Sequence, residues 1–156
     1  AVDLREIIDS ALIMLRNRTK QTAAVVRDYG EIPPIPCYVG KMSQVMINML
    51  TNAIDAIEKK GSPAEHQITV KTEVLERDHR LYAAVHLTDT GIGIPAALIH
   101  KVFDPFFTTK EVGKGVGLGL YITSNIIREH KGTIEVSSQP GHGTTFSILL
   151  PTCQEE

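Results

Sequence analysis

The 156-residue chain lacks the features that mark several protein classes. It has no tryptophan, and no apolar run approaches the roughly 20 residues that span a bilayer. Its formal net charge of −2 excludes the strongly basic balance of a general nucleic-acid binder. The only two cysteines, Cys37 and Cys153, lie far apart and outside any CxxC pair, so we expect free thiols, with one disulfide as the alternative. The remaining composition, 42% hydrophobic and 22% charged, is typical of one soluble globular domain without a signal peptide.

The spacing of apolar residues predicts helices and strands in a mixed order. Helical periodicity covers residues 3–16, 41–59 and 118–131, and a short helix is expected after Pro95. Strands are predicted at 22–29, 67–75, 81–89, 133–138 and 144–150. The last four strands form two hairpins, which implies antiparallel pairing. We therefore expect an α+β fold: a two-layer sandwich in which helices cover one face of a mixed, mostly antiparallel sheet of about five strands.

The helix predicted at 41–59 carries an unusual polar stripe. Gln44, Asn48, Asn52 and Asp55 recur at helical spacing on a helix that is otherwise apolar almost all round. An ordinary solvent-exposed face would carry Lys, Glu and Arg, because asparagine disfavours helix formation. Amide oxygens are also hard ligands that suit Mg²⁺. The stripe is either a plain solvent face or the wall of a polar pocket.

A second polar feature is the segment HLTDTGIGIP, residues 86–95. Asp89 has the same strand parity as Val85 and Leu87, so it ends an apolar row and points toward the core. A buried carboxylate there could accept a hydrogen bond from the amine of adenine, whereas guanine presents a carbonyl at that position. The alternative is that Asp89 only forms the turn with Thr90 and Gly91.

The third feature is EVGKGVGLGLY, residues 111–121, with glycine at every second position from 113 to 119. Glycines that lead into a helix expose backbone N–H groups and the positive end of its dipole, which favours phosphate, and Lys110 and Lys114 add positive charge. The alternative is a flexible loop. We expect a mobile lid that orders over nucleotide, with FDPFFTTK, residues 103–110, as its hinge. Core packing is expected for Phe103 and one of the following pair, and adenine contact for the other.

Together and in this order, these motifs resemble the catalytic ATP-binding domain of sensor histidine kinases. That domain belongs to the superfamily of gyrase, the ninety-kilodalton chaperone and the mismatch-repair ATPases. NMLTNAIDA is similar to the asparagine box, DTGIGI to the first glycine box, FDPFFTTK to the phenylalanine box, GKGVGLGL to the second glycine box, and GHGTTF to the last glycine–threonine segment. The resemblance covers residues 3–150 and implies one catalytic domain over 1–156, with a lid at about 100–117.

The resemblance implies a site for Mg-ATP. It implies that Asn52 coordinates Mg²⁺ and that Asn48 and the lid contact the phosphates. It also implies that Asp89 binds the adenine amine and that Thr145 lies behind the base. Catalytic contributions are expected from Asn48, Lys110 and Lys114. The residues that it implies for nucleotide binding are Asn48, Asn52, Asp55, Asp89, Gly91, Gly93, Ile94, Phe107, Lys110, Lys114, Gly115, Val116, Gly117, Leu118, Gly119 and Thr145.

The resemblance also indicates the reaction. Members that split water carry Glu four residues before the metal-binding Asn, but this chain has Asn48, and an amide cannot act as a general base. None of the six histidines lies in the family's phosphoacceptor context. We therefore expect phosphate transfer to a histidine on a separate dimerisation domain of the same protein, for relay to a response regulator. The alternatives are a serine/threonine kinase, an ATPase, or a nucleotide-sensing module. The expected location is cytoplasmic, in a homodimeric parent that is either soluble or membrane-anchored, with this fragment a monomer.

Overall fold

The fold consists of one sheet and a layer of helices. A computed structural model describes residues 1–61, 65–107 and 118–153. Its helices are α1 (Leu4–Met14), α2 (Arg16–Thr22), α3 (Val39–Lys60), a 3-10 helix (Ala96–Lys101) and α4 (Gly119–Glu129). Its strands are β1 (Ala24–Tyr29), β2 (Gln67–Arg77), β3 (Arg80–Asp89), β4 (Thr133–Gln139) and β5 (Gly143–Pro151).

The five strands form a single mixed sheet in the order β1-β2-β3-β5-β4. β1 pairs with β2 in parallel, and the other three pairings are antiparallel. This confirms the predicted two hairpins and the α+β class. The pairing of β3 with β5 places the end of β3 directly beside the start of β5, because Asp89 is opposite Thr144.

The core lies between the helices and the inner face of the sheet, which we define as the face that carries Val85, Leu87 and Asp89. The opposite face is called the outer face. Helix α3 is the longest helix, and most of its apolar residues are buried: Met42, Val45, Met46, Met49, Leu50, Ala53, Ile54 and Ile57. Burying each large side chain stabilises the fold by about 1.5–3 kcal/mol. This packing holds α3 against β3 and β5.

Two predicted boundaries need correction. Residues 16–22 form α2, so Thr22 ends a helix and the first strand begins at Ala24 rather than at 22. The segment RNRTKQT has no apolar period, and it is held by tertiary contacts: Arg18 Nη2 lies 2.9 Å from Asp55 Oδ1 and 3.1 Å from Glu58 Oε2. Helix α4 ends at Glu129 instead of 131. The buried His130 follows it, and its Nδ1 donates to the carbonyl of Ile126 at 2.7 Å.

Two further expectations concern the cysteines and the membrane. Cys37 and Cys153 are both free thiols, as predicted. Within the described ranges, no helix combines the length and the apolar character that crossing a bilayer requires.

Candidate functional site

The polar stripe of α3 is partly buried rather than a plain wet face. Asn48 and Asn52 are half-buried, whereas Gln44, one turn earlier, is exposed. Asp55 is half-buried and accepts the hydrogen bond from Arg18 of α2. Gln44, at one end of the stripe, therefore contacts solvent, and Asp55, at the other end, contacts α2. The two asparagines lie between them.

Asn48 connects α3 to the start of α4. Its Nδ2 lies 3.4 Å from the carbonyl oxygen of Gly119 and 3.4 Å from Thr123 Oγ1. Helix α4 begins at Gly119, and its cap residue Leu118 makes no side-chain hydrogen bond to the first turn. Backbone N–H groups at such an uncapped helix start favour an anion. Gly119 is exposed, and a Cβ built there would meet nothing within 4 Å, so packing in the described part of the chain does not require a glycine there.

Asp89 is buried, as its strand parity predicts, with 2% of its surface exposed. Its Oδ1 accepts a hydrogen bond from the backbone N–H of Gly91 at 2.8 Å, so it also forms the turn that was the alternative interpretation. Burial raises the pKa of Asp89 to about 6, although the backbone N–H groups of Gly91 and Thr144 act in the opposite direction. An acid with these properties is an acceptor held at the inner face, beside α3.

The two glycines after Asp89 bring three elements together. A Cβ at Gly91 would lie 2.6 Å from the carbonyl carbon of Ala56 in α3, and the next residue, Ile92, donates its N–H to Ala56 at 3.2 Å. Gly93 has φ +73°, and a Cβ there would collide with the carbonyl oxygen of Gln139 at the end of β4. Their small size therefore serves close backbone packing around Asp89, rather than only opening the site.

Several residues that hold this end of the site were missed from the sequence. Lys60 Nζ donates to the carbonyl oxygens of Thr90, at 3.3 Å, and Gly141, at 3.1 Å. Ile94, predicted for the site, is half-buried, and its N–H donates to Ser138 Oγ at 2.7 Å. These contacts join α3, the end of β3 and the β4–β5 turn. They depend on strand register, so no local sequence pattern indicates them.

Thr145, predicted to lie behind the base, is on the face of the sheet away from Asp89, and the threonine on the Asp89 face is Thr144. Successive side chains alternate between sheet faces, and Thr145 lies on the outer face with its Oγ1 2.9 Å from Thr88 Oγ1. Thr144 has 4% of its surface exposed and lies opposite Asp89 on the inner face. The alternation of side chains along β5 indicates that Thr144 faces the core, because it has the same strand parity as the core residues Phe146 and Ile148.

The phenylalanine segment divides between core and surface. Phe103 packs edge-on against the buried Phe146, with ring centroids 6.2 Å apart, as expected of a core residue. Phe106 has φ +66° and 71% of its surface exposed, and Phe107 is half-buried. The remaining predicted residues lie outside the described residues: Lys110, Lys114, Gly115, Val116 and Gly117.

The donors available to a metal are few in the described part of the chain. Residues 1–61, 65–107 and 118–153 contain no group of three or more His, Cys, Asp or Glu that could hold an ion. Asn52 is half-buried and its side chain makes no hydrogen bond to another described residue, so its amide oxygen is available. One amide donor fits a hard cation that takes most of its ligands from phosphate and water.

Comparison with known proteins identifies the family. Residues 39–154 match the family described as histidine kinase-, DNA gyrase B- and HSP90-like ATPase. The chain belongs to this family. Within it, the chain is 36% identical over 170 residues to the sensor kinase CckA of Brucella abortus (strain 2308), covering 99% of this chain. It is 42% identical over 124 residues, 80% of this chain, to sporulation kinase E of Bacillus subtilis (strain 168).

A solved structure agrees with this membership of the histidine kinase-like ATPase family. The catalytic domain of histidine kinase ThkA matches with a TM-score of 0.79 and 27% identity, over 98% of this chain and 97% of that one. The chain is thus an ATP-binding catalytic domain of the sensor histidine kinase type. It spans 17% of the length of the Brucella relative and 15% of the Bacillus one.

Proposed function

We propose that this domain binds Mg-ATP and transfers the γ-phosphate to a histidine on a separate phosphoacceptor and dimerisation domain of the same protein. The phosphate then passes to a response regulator. In this proposal the parent protein is a homodimer of a two-component signalling system, and the domain described here acts in the cytoplasm.

The arrangement along α3 supports the binding mode. Ala56 contacts Gly91 at the Asp89 end, and Asn48 contacts Gly119 at the start of α4. With a rise of about 1.5 Å per residue, Ala56 and Asn48 are about 12 Å apart along the helix, which is the scale of a nucleoside triphosphate. The base would lie at Asp89, and the triphosphate would extend past Asn52 toward Asn48 and the uncapped start of α4.

Asn52 is the residue that would hold the metal. Its half-buried amide oxygen has no competing partner in the described chain, and it lies between the two ends of the proposed nucleotide path. Mg²⁺, when bound, neutralises charge on the phosphate oxygens. The protein's own contribution is to orient the nucleotide from α3 and to present backbone N–H groups at α4.

The position of Asn48 at the α4 end of the site supports phosphate transfer over ATP hydrolysis. A carboxylate there could take a proton from water, but an amide cannot. None of the six histidines lies in the family's phosphoacceptor context, and His130 in addition is buried and uses both ring nitrogens, Nδ1 toward Ile126 and Nε2 toward the N–H of Tyr38 at 3.1 Å. The acceptor is therefore sought outside this chain.

The test measures transfer and hydrolysis side by side. The domain is incubated with radiolabelled Mg-ATP, with and without the phosphoacceptor domain of its parent protein. We expect an acid-labile, base-stable phosphohistidine on the added domain and little phosphate release without it. Asn48→Glu should raise phosphate release at least severalfold, whereas Gln44→Glu, one turn away and exposed, should not.

Other outcomes assign other functions. Rapid multiple-turnover phosphate release by the wild-type domain would indicate an ATPase, and phosphoserine on an added partner would indicate a serine/threonine kinase. Tight Mg-ATP binding with neither transfer nor hydrolysis would indicate a nucleotide sensor. Equal affinity for Mg-ATP and Mg-GTP in calorimetry would refute the role proposed for Asp89.

A further inference from the structure

Ser138 of β4 is at the centre of a hydrogen-bond network beside the proposed base site. Its Oγ lies 2.7 Å from the backbone N of Ile94, 2.9 Å from the carbonyl oxygen of Gly143 and 2.8 Å from Thr144 Oγ1. It therefore joins the loop after Asp89 to the start of β5. Ser138 is half-buried, and Thr144 is buried.

The chemistry of these partners assigns every proton in the network. A serine hydroxyl has one proton to donate and two lone pairs to accept with. The N–H of Ile94 can only donate, so it occupies one lone pair, and the carbonyl of Gly143 can only accept, so it takes the proton of Ser138. One lone pair remains for Thr144, which must therefore donate its own hydroxyl proton to Ser138.

The consequence concerns the direction in which Thr144 can bond. With its proton committed to Ser138, Thr144 Oγ1 has only lone pairs to present to a ligand. Thr144 lies opposite Asp89 on the inner face, and the Asp89 carboxylate is also an acceptor when ionised. When Asp89 is ionised, the two side chains together form a surface that accepts hydrogen bonds and offers none.

We propose that Ser138 is a positioning residue that determines base specificity, by holding the Thr144 hydroxyl as an acceptor beside Asp89. This inference rests on the proposed binding of ATP at this site. A base with an exocyclic amine, as in adenine, can donate directly or through water to this surface. A base with a carbonyl at that position meets acceptors only, and leaves them without partners.

The test compares Mg-ATP with Mg-ITP, whose hypoxanthine has a carbonyl where adenine has its amine. Dissociation constants are measured by calorimetry for the wild type and Ser138→Ala. In the variant Thr144 regains a rotatable proton that can bond to the hypoxanthine carbonyl, so the preference for ATP over ITP should fall by about fivefold or more. Ser137→Ala is the matched control, because Ser137 is the exposed neighbour that pairs with Thr145.

Variants of Thr144 separate this role from general support of the loop. Thr144→Val removes the hydroxyl and should also reduce the preference, and Thr144→Ser, which retains it, should not. Adding Ser138→Ala to Thr144→Val should then leave the ratio of affinities unchanged, because the two residues act through one hydroxyl. If Ser138→Ala does not fold, as judged by its thermal melt, the comparison of Thr144→Ser with Thr144→Val decides.

The outcomes separate this inference from the proposed function. If the wild type prefers ATP and Ser138→Ala weakens ATP and ITP equally, Ser138 is purely structural and the inference is wrong while the proposed function stands. An unchanged ratio in Thr144→Val overturns the inference in the same way. If the wild type binds neither nucleotide, the proposed function fails, and this inference fails with it.

Discussion

Replacing Asp89 by asparagine is expected to stabilise the nucleotide-free domain above pH 6 while it weakens the preference for adenine. The carboxylate has 2% of its surface exposed, and burial outweighs its two backbone hydrogen bonds in raising the pKa of Asp89. Asparagine has nearly the same shape, and its carbonyl oxygen can still accept from the N–H of Gly91. The substitution therefore removes a buried charge without removing the turn.

The magnitude follows from the shift in pKa. The pKa of Asp89 rises from 3.8 to about 6 on folding, and each unit corresponds to about 1.4 kcal/mol. Between these two values the folded state binds a proton that the unfolded state does not, so stability falls as pH rises through that window. Above it, ionised Asp89 reduces the free energy of unfolding by about 3 kcal/mol relative to its protonated form. Because the amide accepts weaker hydrogen bonds, we expect Asp89→Asn to gain about 1–3 kcal/mol.

The assay is urea denaturation of both proteins without nucleotide at pH 4, 5, 6, 7 and 8. The stability difference should be near zero or reversed at pH 4 and should grow to its full value above pH 6. At neutral pH the gain corresponds to a rise in Tm of about 2–4 °C per kcal/mol. Asp28→Asn, at an exposed position on β1, is the control and should change stability little.

The reasoning would be refuted by a stability difference that does not change between pH 4 and 8, or by a variant that is less stable than the wild type throughout.

Nucleotide binding provides the second half of the prediction. ATP affinity of the wild type should decline as pH falls below 6, because protonated Asp89 no longer presents a charged acceptor. Asp89→Asn should lose both this dependence and the preference for adenine, a stability gain obtained at the expense of function.

Two further predictions concern glycine packing and the faces of β5. Gly93→Ala should destabilise the domain by about 2 kcal/mol or more, because φ is +73° and the new Cβ would collide with Gln139. Gly40→Ala is the control: it lies in open space on α3 and should stabilise the domain by up to about 1 kcal/mol. Equal effects of the two substitutions in chemical denaturation would contradict this prediction. Thr145→Val should leave the ATP affinity measured by calorimetry within about twofold of the wild type, because only a hydrogen bond on the outer face is lost. A large loss of ATP affinity would restore the original assignment of Thr145.

Predictions from local patterns succeeded where one element's own periodicity carries the information. Alternation over residues 81–89 was enough to predict that Asp89 is buried, and helical spacing predicted the helix α3 and its polar stripe. Thr145 was expected from the resemblance to the family and not from alternation, whereas the alternation along β5 places Thr144 on the inner face with Asp89. The motifs themselves indicate the family, because five of them occur in one order.

Contacts between distant segments decided the rest. Helix α2 has no amphipathic pattern of its own, and its ion pairs to α3 became visible only when the two helices were packed together. The bond from Ile94 to Ser138 joins residues 44 positions apart, and the contact of Gly91 with Ala56 depends on how α3 crosses the sheet. The sequence by itself determined the five strands, the helices α1, α3 and α4 and the burial of Asp89, because these follow from patterns that repeat over a few residues, and its five ordered motifs indicated the family. Only the tertiary structure decided that Thr144 lies opposite Asp89 and that Ser138 bonds to Thr144, because the register of β3, β5 and β4 brings these distant groups together.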